Sequence, residues 1–197
     1  GSPAETDGNE SLTSSGTATV DFMADVPANL LGSIVLLDDP AYDTQLTTLD
    51  GNPVTFAVES GVLIGRDSGG AEVLRVTVTA AGLGPNPGEV TYTYSTTLSQ
   101  PVRHAAAGSE DTATLSGVRF QVTDSDGDML ATPASFNVAI LDDVPTLTVS
   151  DTPTLATEGQ TVDGTFSLTA GADGVSSVMV TFGAASATLS LASGQSV

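Results

Sequence analysis

Eight short runs of this chain alternate apolar and polar residues with a period of two. They are VLRVTVT (73–79), VTYTYS (90–95), VRFQVT (118–123), SFNVAI (135–140), TLTV (146–149), TFSLT (165–169), VMVTF (178–182) and TLSL (188–191). Successive side chains of a strand point to opposite faces, so such a run buries one face and wets the other. A helix cannot use that pattern. Thr, Val, Phe and Tyr fill the runs, and Gly, Pro, Asn and Asp clusters separate them, as expected for strands joined by turns. Each half-apolar sheet must be covered by another. The expected fold is therefore all-β: an antiparallel, Ig-like or cadherin-like β-sandwich over residues 1–143, followed by a partial second repeat over 144–197. One short helical turn is expected, around AGLGP (81–85) or DVPANLLG (25–32).

The apolar fraction, 40% of 197 residues, is enough for a core and too high for a disordered acidic tail. Twenty-four acidic side chains face four basic ones, for a formal net charge of −20. Such a surface repels phosphate and anionic lipid, so neither nucleic acid nor membrane is an expected partner. It attracts cations. The chain has no cysteine, which excludes disulfides, thiolate metal sites and cysteine catalysis. No apolar stretch approaches the ~18 residues of a membrane span, and no signal peptide is visible. Gly1-Ser2 reads as a cloning scar.

The sequence also repeats itself. NESLTSSGTATVDFMADV (9–26) aligns with TEGQTVDGTFSLTAGADG (157–174), placing Glu10 on Glu158, Gly16 on Gly164, Thr17 on Thr165 and Asp25 on Asp173, an offset of 148. Further on, Gly51 falls on Gly194 and Val54 on Val197, an offset of 143, so the first copy carries a small insertion near Pro27 to Leu31. The chain thus reads as one nearly whole repeat and about a third of another. The boundary is ILDDVP (140–145), where proline ends a strand because it cannot donate to a ladder.

The acids are not spread evenly. FQVTDSDGDML (120–130) sets Asp124, Asp126 and Asp128 around Gly127 in the turn of a hairpin. Their repulsion strains a tight turn unless solvent or a cation relieves it. The strand after this turn ends at Asp142 and Asp143, so those acids are expected at the opposite end of the hairpin. Glu10 and Asp25, near the start of the repeat, are expected at the turn's end. Calcium takes hard oxygen ligands from acids and carbonyls, and a site shared between a turn and a neighbouring linker would fix the angle between two domains. The candidate ligands are Asp124, Asp126, Asp128, Asp142, Asp143, Glu158, Glu10 and Asp25. The turn is not an EF-hand loop: counted from Asp124, Gly127 is at position 4 and Ser135 at position 12, where that loop needs Gly at 6 and Glu at 12. Asp38, Asp39 and Asp43 form another acid–proline cluster that reads as an exposed turn. A solvated Asp-Gly turn without metal is the bland alternative for the main cluster.

The motifs VTDSDGD and DDVPTLTV, together with LDGNPVTFAV (49–58) and the region of His104, resemble the long tandem repeats of RTX adhesins, the giant calcium-dependent surface proteins exported by type I secretion. The resemblance implies Ca2+ as the bound ion and a secreted, bacterial cell-surface location. It implies an extender repeat that holds a ligand-binding tip away from the cell in cell adhesion and biofilm formation. The expected partners are neighbouring repeats of the same polypeptide, with an inserted ligand-binding module wherever a repeat is split. The alternative is a domain that itself binds a peptide or glycan. In isolation, the unpartnered strands of 144–197 are expected to borrow a neighbour, within the chain or in a strand-exchanged homodimer.

Enzyme chemistry is poorly supplied. His104 is the only histidine, no serine sits in a GxSxG elbow, and RHAAAGSEDT around the histidine reads as a flexible loop. GRDSGG (65–70) lacks the lysine of a phosphate loop and reads as a β-turn. Aromatics are 5% and tryptophan is absent, which leaves little for a sugar platform.

Overall fold

The computed structural model describes residues 12–105 and 111–142, and the strands at 146–150, 165–169, 177–182 and 185–190. The described residues from Leu12 to Leu141 make one compact unit, and the four later strands belong to a second.

The first unit is an all-β sandwich of antiparallel sheets. One sheet has five strands in the order β1-β6-β5-β4-β3: β1 Leu12–Asp21, β3 Thr55–Glu59, β4 Val62–Arg66, β5 Glu72–Leu83 and β6 Glu89–Leu98. The other has three in the order β2-β7-β8: β2 Ile34–Leu36, β7 Thr112–Val122 and β8 Ala134–Leu141. From β1 in the larger sheet the chain crosses for β2, returns for the β3–β6 meander and crosses again for β7 and β8. The two inner faces share one core, which includes Val20, Phe56, Leu63, Leu74, Val76, Val90 and Tyr92 from the first sheet and Leu36, Leu115, Val118, Phe120 and Val138 from the second. Tyr94 of β6 stacks on Phe136 of β8 with ring centroids 4.0 Å apart, so the sheets meet near the end of β8 that follows the turn.

The alternation of β6 explains its position. Val90 and Tyr92 are buried, while Thr91 and Thr93, each one residue on, lie on the other face. β1 pairs with β6 without a register shift, from Leu12↔Leu98 to Asp21↔Glu89. Its outward residues Thr13 and Thr19 share hydroxyl contacts with Thr97 (3.2 Å) and Thr91 (3.4 Å). The inward Gly16 lies opposite Tyr94, and a Cβ there would run into the Tyr94 ring.

β7 breaks its own period. Leu115 is buried and so is Val118, three residues on. A strand cannot keep both on one face without an extra residue, and a bulge between Leu115 and Val118 supplies it. Gly117 adopts φ 70° there, open to glycine at no steric cost. The bulge leaves two backbone donors off the ladder. Gln45 Oε1 accepts from Ser116 N–H (2.6 Å) and Asn137 Oδ1 accepts from Gly117 N–H (2.8 Å).

Two short 3-10 turns, Leu31–Ser33 and Pro40–Thr44, flank β2. The helical expectation at 25–32 therefore meets the first of them, whereas the one at AGLGP does not hold. Ala81 to Leu83 extend β5, because β6 continues alongside and pairs Ala81 with Tyr92 and Leu83 with Val90. GRDSGG forms a turn as expected, with Asp67 Oδ1 accepting from Gly69 and Ala71 N–H at 2.9 Å each.

In the second unit β9 (Thr146–Ser150) pairs antiparallel with β10 (Thr165–Thr169), and β11 (Ser177–Phe182) with β12 (Ala185–Ser190).

Candidate metal centre

The hairpin between β7 and β8 places the acidic turn. Thr123 and Met129 bridge at its base, and Asp128 C=O accepts from Asp124 N–H at 2.9 Å. Inside the turn a single oxygen, Asp124 Oδ1, accepts from the N–H groups of Asp126 (3.2 Å), Gly127 (3.0 Å) and Asp128 (2.8 Å). Gly127 adopts φ 102°, outside what a side chain tolerates cheaply. The turn is thus organised by one carboxylate that gathers three donors, an Asx-type arrangement. It holds the other two carboxylates close: one oxygen from each of Asp124, Asp126 and Asp128 lies within 4.8 Å of the others.

The electrostatics divide the cluster. Asp124 is partly desolvated, which opposes its charge, but a hydrogen bond with Asp126 and those from the backbone outweigh this and hold its carboxyl below the usual range. Asp126 is pushed up, first by the hydrogen bond to Asp124, then by repulsion from Asp124 and Asp128. The repulsion that raises Asp126 would be relieved by a cation. The donors are all hard oxygen, which suits calcium, but they are only part of the roughly six to eight oxygens that ion takes. Water or other carbonyls must complete the shell.

Asp25 lies beside this turn, since its carbonyl accepts from Ser125 N–H at 3.0 Å. Asp142 is at the far end of the hairpin, one residue past Leu141, which pairs with Thr112 at the start of β7. The hairpin thus carries acids at both ends, as its strand order requires. Glu10, Asp143 and Glu158 lie outside the described residues.

The acid–proline cluster is used for folding. Asp39 Oδ1 caps the second 3-10 turn at Ala41 N–H (3.0 Å), and its other oxygen meets Arg119 at 3.0 Å. The cap and Arg119 hold its carboxyl below the usual range. Asp43 accepts from Phe56 N–H at 2.7 Å and ties that turn to β3.

His104 is a loop residue, as expected, but it has a partner the sequence did not suggest. Its side chain is 8% exposed, with Nδ1 2.7 Å from Asp111 Oδ1, so the ring anchors the loop's entrance to the start of β7. Sequence reasoning missed this pair. The two residues are seven apart across a loop, and no periodicity joins them.

No helix among the described residues is long and apolar enough to cross a membrane, which says nothing of a β-barrel. No curated protein and no solved structure matches the chain. Residues 3–138, which take in the strands of the sandwich up to the middle of β8, match a family described as Domain of unknown function (DUF5801). By that match the chain belongs to the DUF5801 family.

Proposed function

We propose that this protein is a structural extender repeat of a secreted bacterial surface adhesin, with its ends stiffened by calcium. The observation that carries the reading is the Asp124–Asp128 turn, where three carboxylates are held together at one end of the β7–β8 hairpin by backbone donors. Calcium bound there would neutralise the repulsion that raises Asp126. Asp124, Asp126 and Asp128 would supply carboxylate oxygens, and Gly127 would let the turn close around the ion. Asp142 at the opposite end would serve the same role toward the following repeat. Repeats joined in this way would behave as a rod that is stiff where calcium is plentiful and loose where it is not. The sandwich's chemistry suits this passive role. Several of its polar side chains are spent on caps, bulges and turns, as at Asp39, Asp43, Gln45 and Asn137.

A second reading has its own support. Strands β9 to β12 form two two-stranded sheets, and an isolated hairpin is marginal in water. These strands would suit one half of a split repeat, completed by sequence beyond an inserted ligand-binding module.

The test is calcium titration followed by calorimetry and by thermal unfolding of the full chain. Weak sites of extracellular modules bind at about 10⁻⁴ to 10⁻³ M, and a ligand that prefers the native state raises Tm by mass action. The expected result is a higher Tm in millimolar calcium than in chelator, lost in Asp126→Asn. An unchanged Tm and no binding heat would end the calcium reading. Saturable binding of this chain to a particular glycan or peptide would favour a ligand-binding domain instead.

A further inference from the structure

β1 is an edge strand. One side pairs with β6 over all ten residues, and its other side pairs with no strand among the described residues. Such an edge presents a row of backbone donors and acceptors, and proteins usually blunt it with lysine, proline, a bulge or extreme shortness. LTSSGTATVD has no lysine or proline, its register is unshifted, and its single charge, Asp21, is at the end. The other edge of this sheet, β3, has half the length.

The internal repeat says what belongs on this edge. Offset by 148, Thr17–Asp21 of β1 becomes Thr165–Thr169, the whole of β10, with Gly16 falling on Gly164. The two share an inside–outside phase: Thr19 is exposed and Val20 buried, and at the matching positions Ser167 is exposed and Leu168 half-buried. β10 has a partner whose counterpart is absent beside β1 among the described residues. β9 lies antiparallel to it, with Ser150 opposite Thr165, Thr148 opposite Ser167, and Thr146 opposite Thr169. β9 is the segment TLTVS that follows the DDVP boundary. It carries no charge, so it can approach an edge of this acidic chain without repulsion.

We infer that the free edge of β1 accepts one more strand, a TLTVS-type segment supplied by the linker of the preceding repeat, in the register that β9 shows on β10. Thr19 then faces the third residue of that strand, and Thr17 and Asp21 face the fifth and first. The joint between repeats becomes a shared sheet, continuous through backbone hydrogen bonds. This rests on the tandem-repeat part of the extender reading and not on calcium.

The experiment uses the full chain with residues 1–8 replaced by a copy of residues 142–156, which gives the copied strand the spacing that β9 has from β10. The natural chain has no cysteine, so a pair can be introduced cleanly: Thr19→Cys together with Cys in place of the copied Thr148. In chelator, the expected result is an intramolecular disulfide in a monomer. The control Ala18→Cys, on the inward-facing side of β1, should not form it. Without the cysteines, alternate β1 amides of the chimera should exchange about tenfold or more slowly than in the parent chain. Equal crosslinking of both cysteine variants, no crosslink with unchanged exchange, or displacement of β6 would overturn the inference. Crosslinking only between molecules would assign the edge to a second copy and overturn it too. Because the assay runs in chelator, a chain that crosslinks yet ignores calcium would sink the calcium reading alone.

Discussion

Ser33 and Tyr92 offer the sharpest test of how the core is held. Ser33 is the one buried polar residue among the described residues. Its hydroxyl donates to Leu30 C=O at 2.7 Å and lies 2.7 Å from the Tyr92 hydroxyl. A serine has one hydroxyl proton. With that proton on Leu30, Tyr92 must donate to Ser33 Oγ. The two truncations are therefore unequal. Tyr92→Phe removes a donor and leaves Ser33 still bonded to Leu30, so it should cost about 0.5–1.5 kcal/mol, the net worth of one hydrogen bond. Ser33→Ala likewise removes a single oxygen but leaves the Tyr92 O–H buried without an acceptor, which costs about 1–3 kcal/mol. Leu30 C=O is not orphaned, because Ser33 N–H also donates to it at 3.3 Å. The double variant should cost less than the two singles together, since no unpaired hydroxyl remains. Urea unfolding of the four proteins, followed by far-ultraviolet circular dichroism, measures the cycle. Tyr92→Phe costing more than Ser33→Ala, or strict additivity, would refute the assigned proton direction.

Other outcomes follow from the same geometry. Tyr42→Phe leaves Arg119 N–H without the hydroxyl that accepts from it at 2.9 Å, and should lower stability by about 1–3 kcal/mol in the same unfolding assay. Gly16→Val should displace the Tyr94 ring from its stack on Phe136 and cost about 1–3 kcal/mol, visible as a change in the near-ultraviolet tyrosine signal. Gly127→Ala meets no neighbouring atom, so its expected loss of about 1–2 kcal/mol is purely backbone strain at φ 102°; Gly82→Ala, equally open and without a positive φ, is the neutral control in thermal melts. On acidification, Asp39, Asp67, Glu72 and Asp124, all held below their usual range, lose stabilisation as pH falls through their folded values. Asp126 is raised, so its contribution runs the other way and grows as pH falls through its own folded value. With four lowered groups and Asp126 alone opposing them, Tm measured against pH should fall through the carboxylate range; Asp126→Asn should raise Tm at neutral pH in chelator.

Period-two alternation with β-branched residues made eight strands legible, and each coincides with or lies within one residue of a strand of the structure. It failed at β1, β2, β3 and β4, and at β1 and β4 the reason is plain. β1 is a run of small polar residues whose inward face is Gly16 and Ala18 until Val20, too weak a pattern to stand out. β4 is buried at Leu63, Ile64 and Gly65 in succession, a run that alternates nothing. The acidic turn was legible because its signal is local: Asp-x-Asp-Gly-Asp fixes its own backbone through Asp124. The uses of Asp39 and Asp43 were not legible, because their partners Arg119 and Phe56 are far along the chain.

Eight of the strands, the chemistry of the acidic turn and the internal repeat could be read from the sequence, since each depends on residues close together in the chain. The sequence also set the placing of acids at both ends of the β7–β8 hairpin, because antiparallel pairing leaves no other arrangement. Tertiary structure alone decided which sheet each strand joins, where Gly117 makes β7 change phase, and that His104 turns inward to Asp111. Those outcomes depend on which faces must be covered at once. Burying Leu115 and Val118 against the same core requires a bulge that neither residue specifies, and the donors the bulge sets free are met by Gln45, at the end of the second 3-10 turn, and by Asn137 of the paired strand β8.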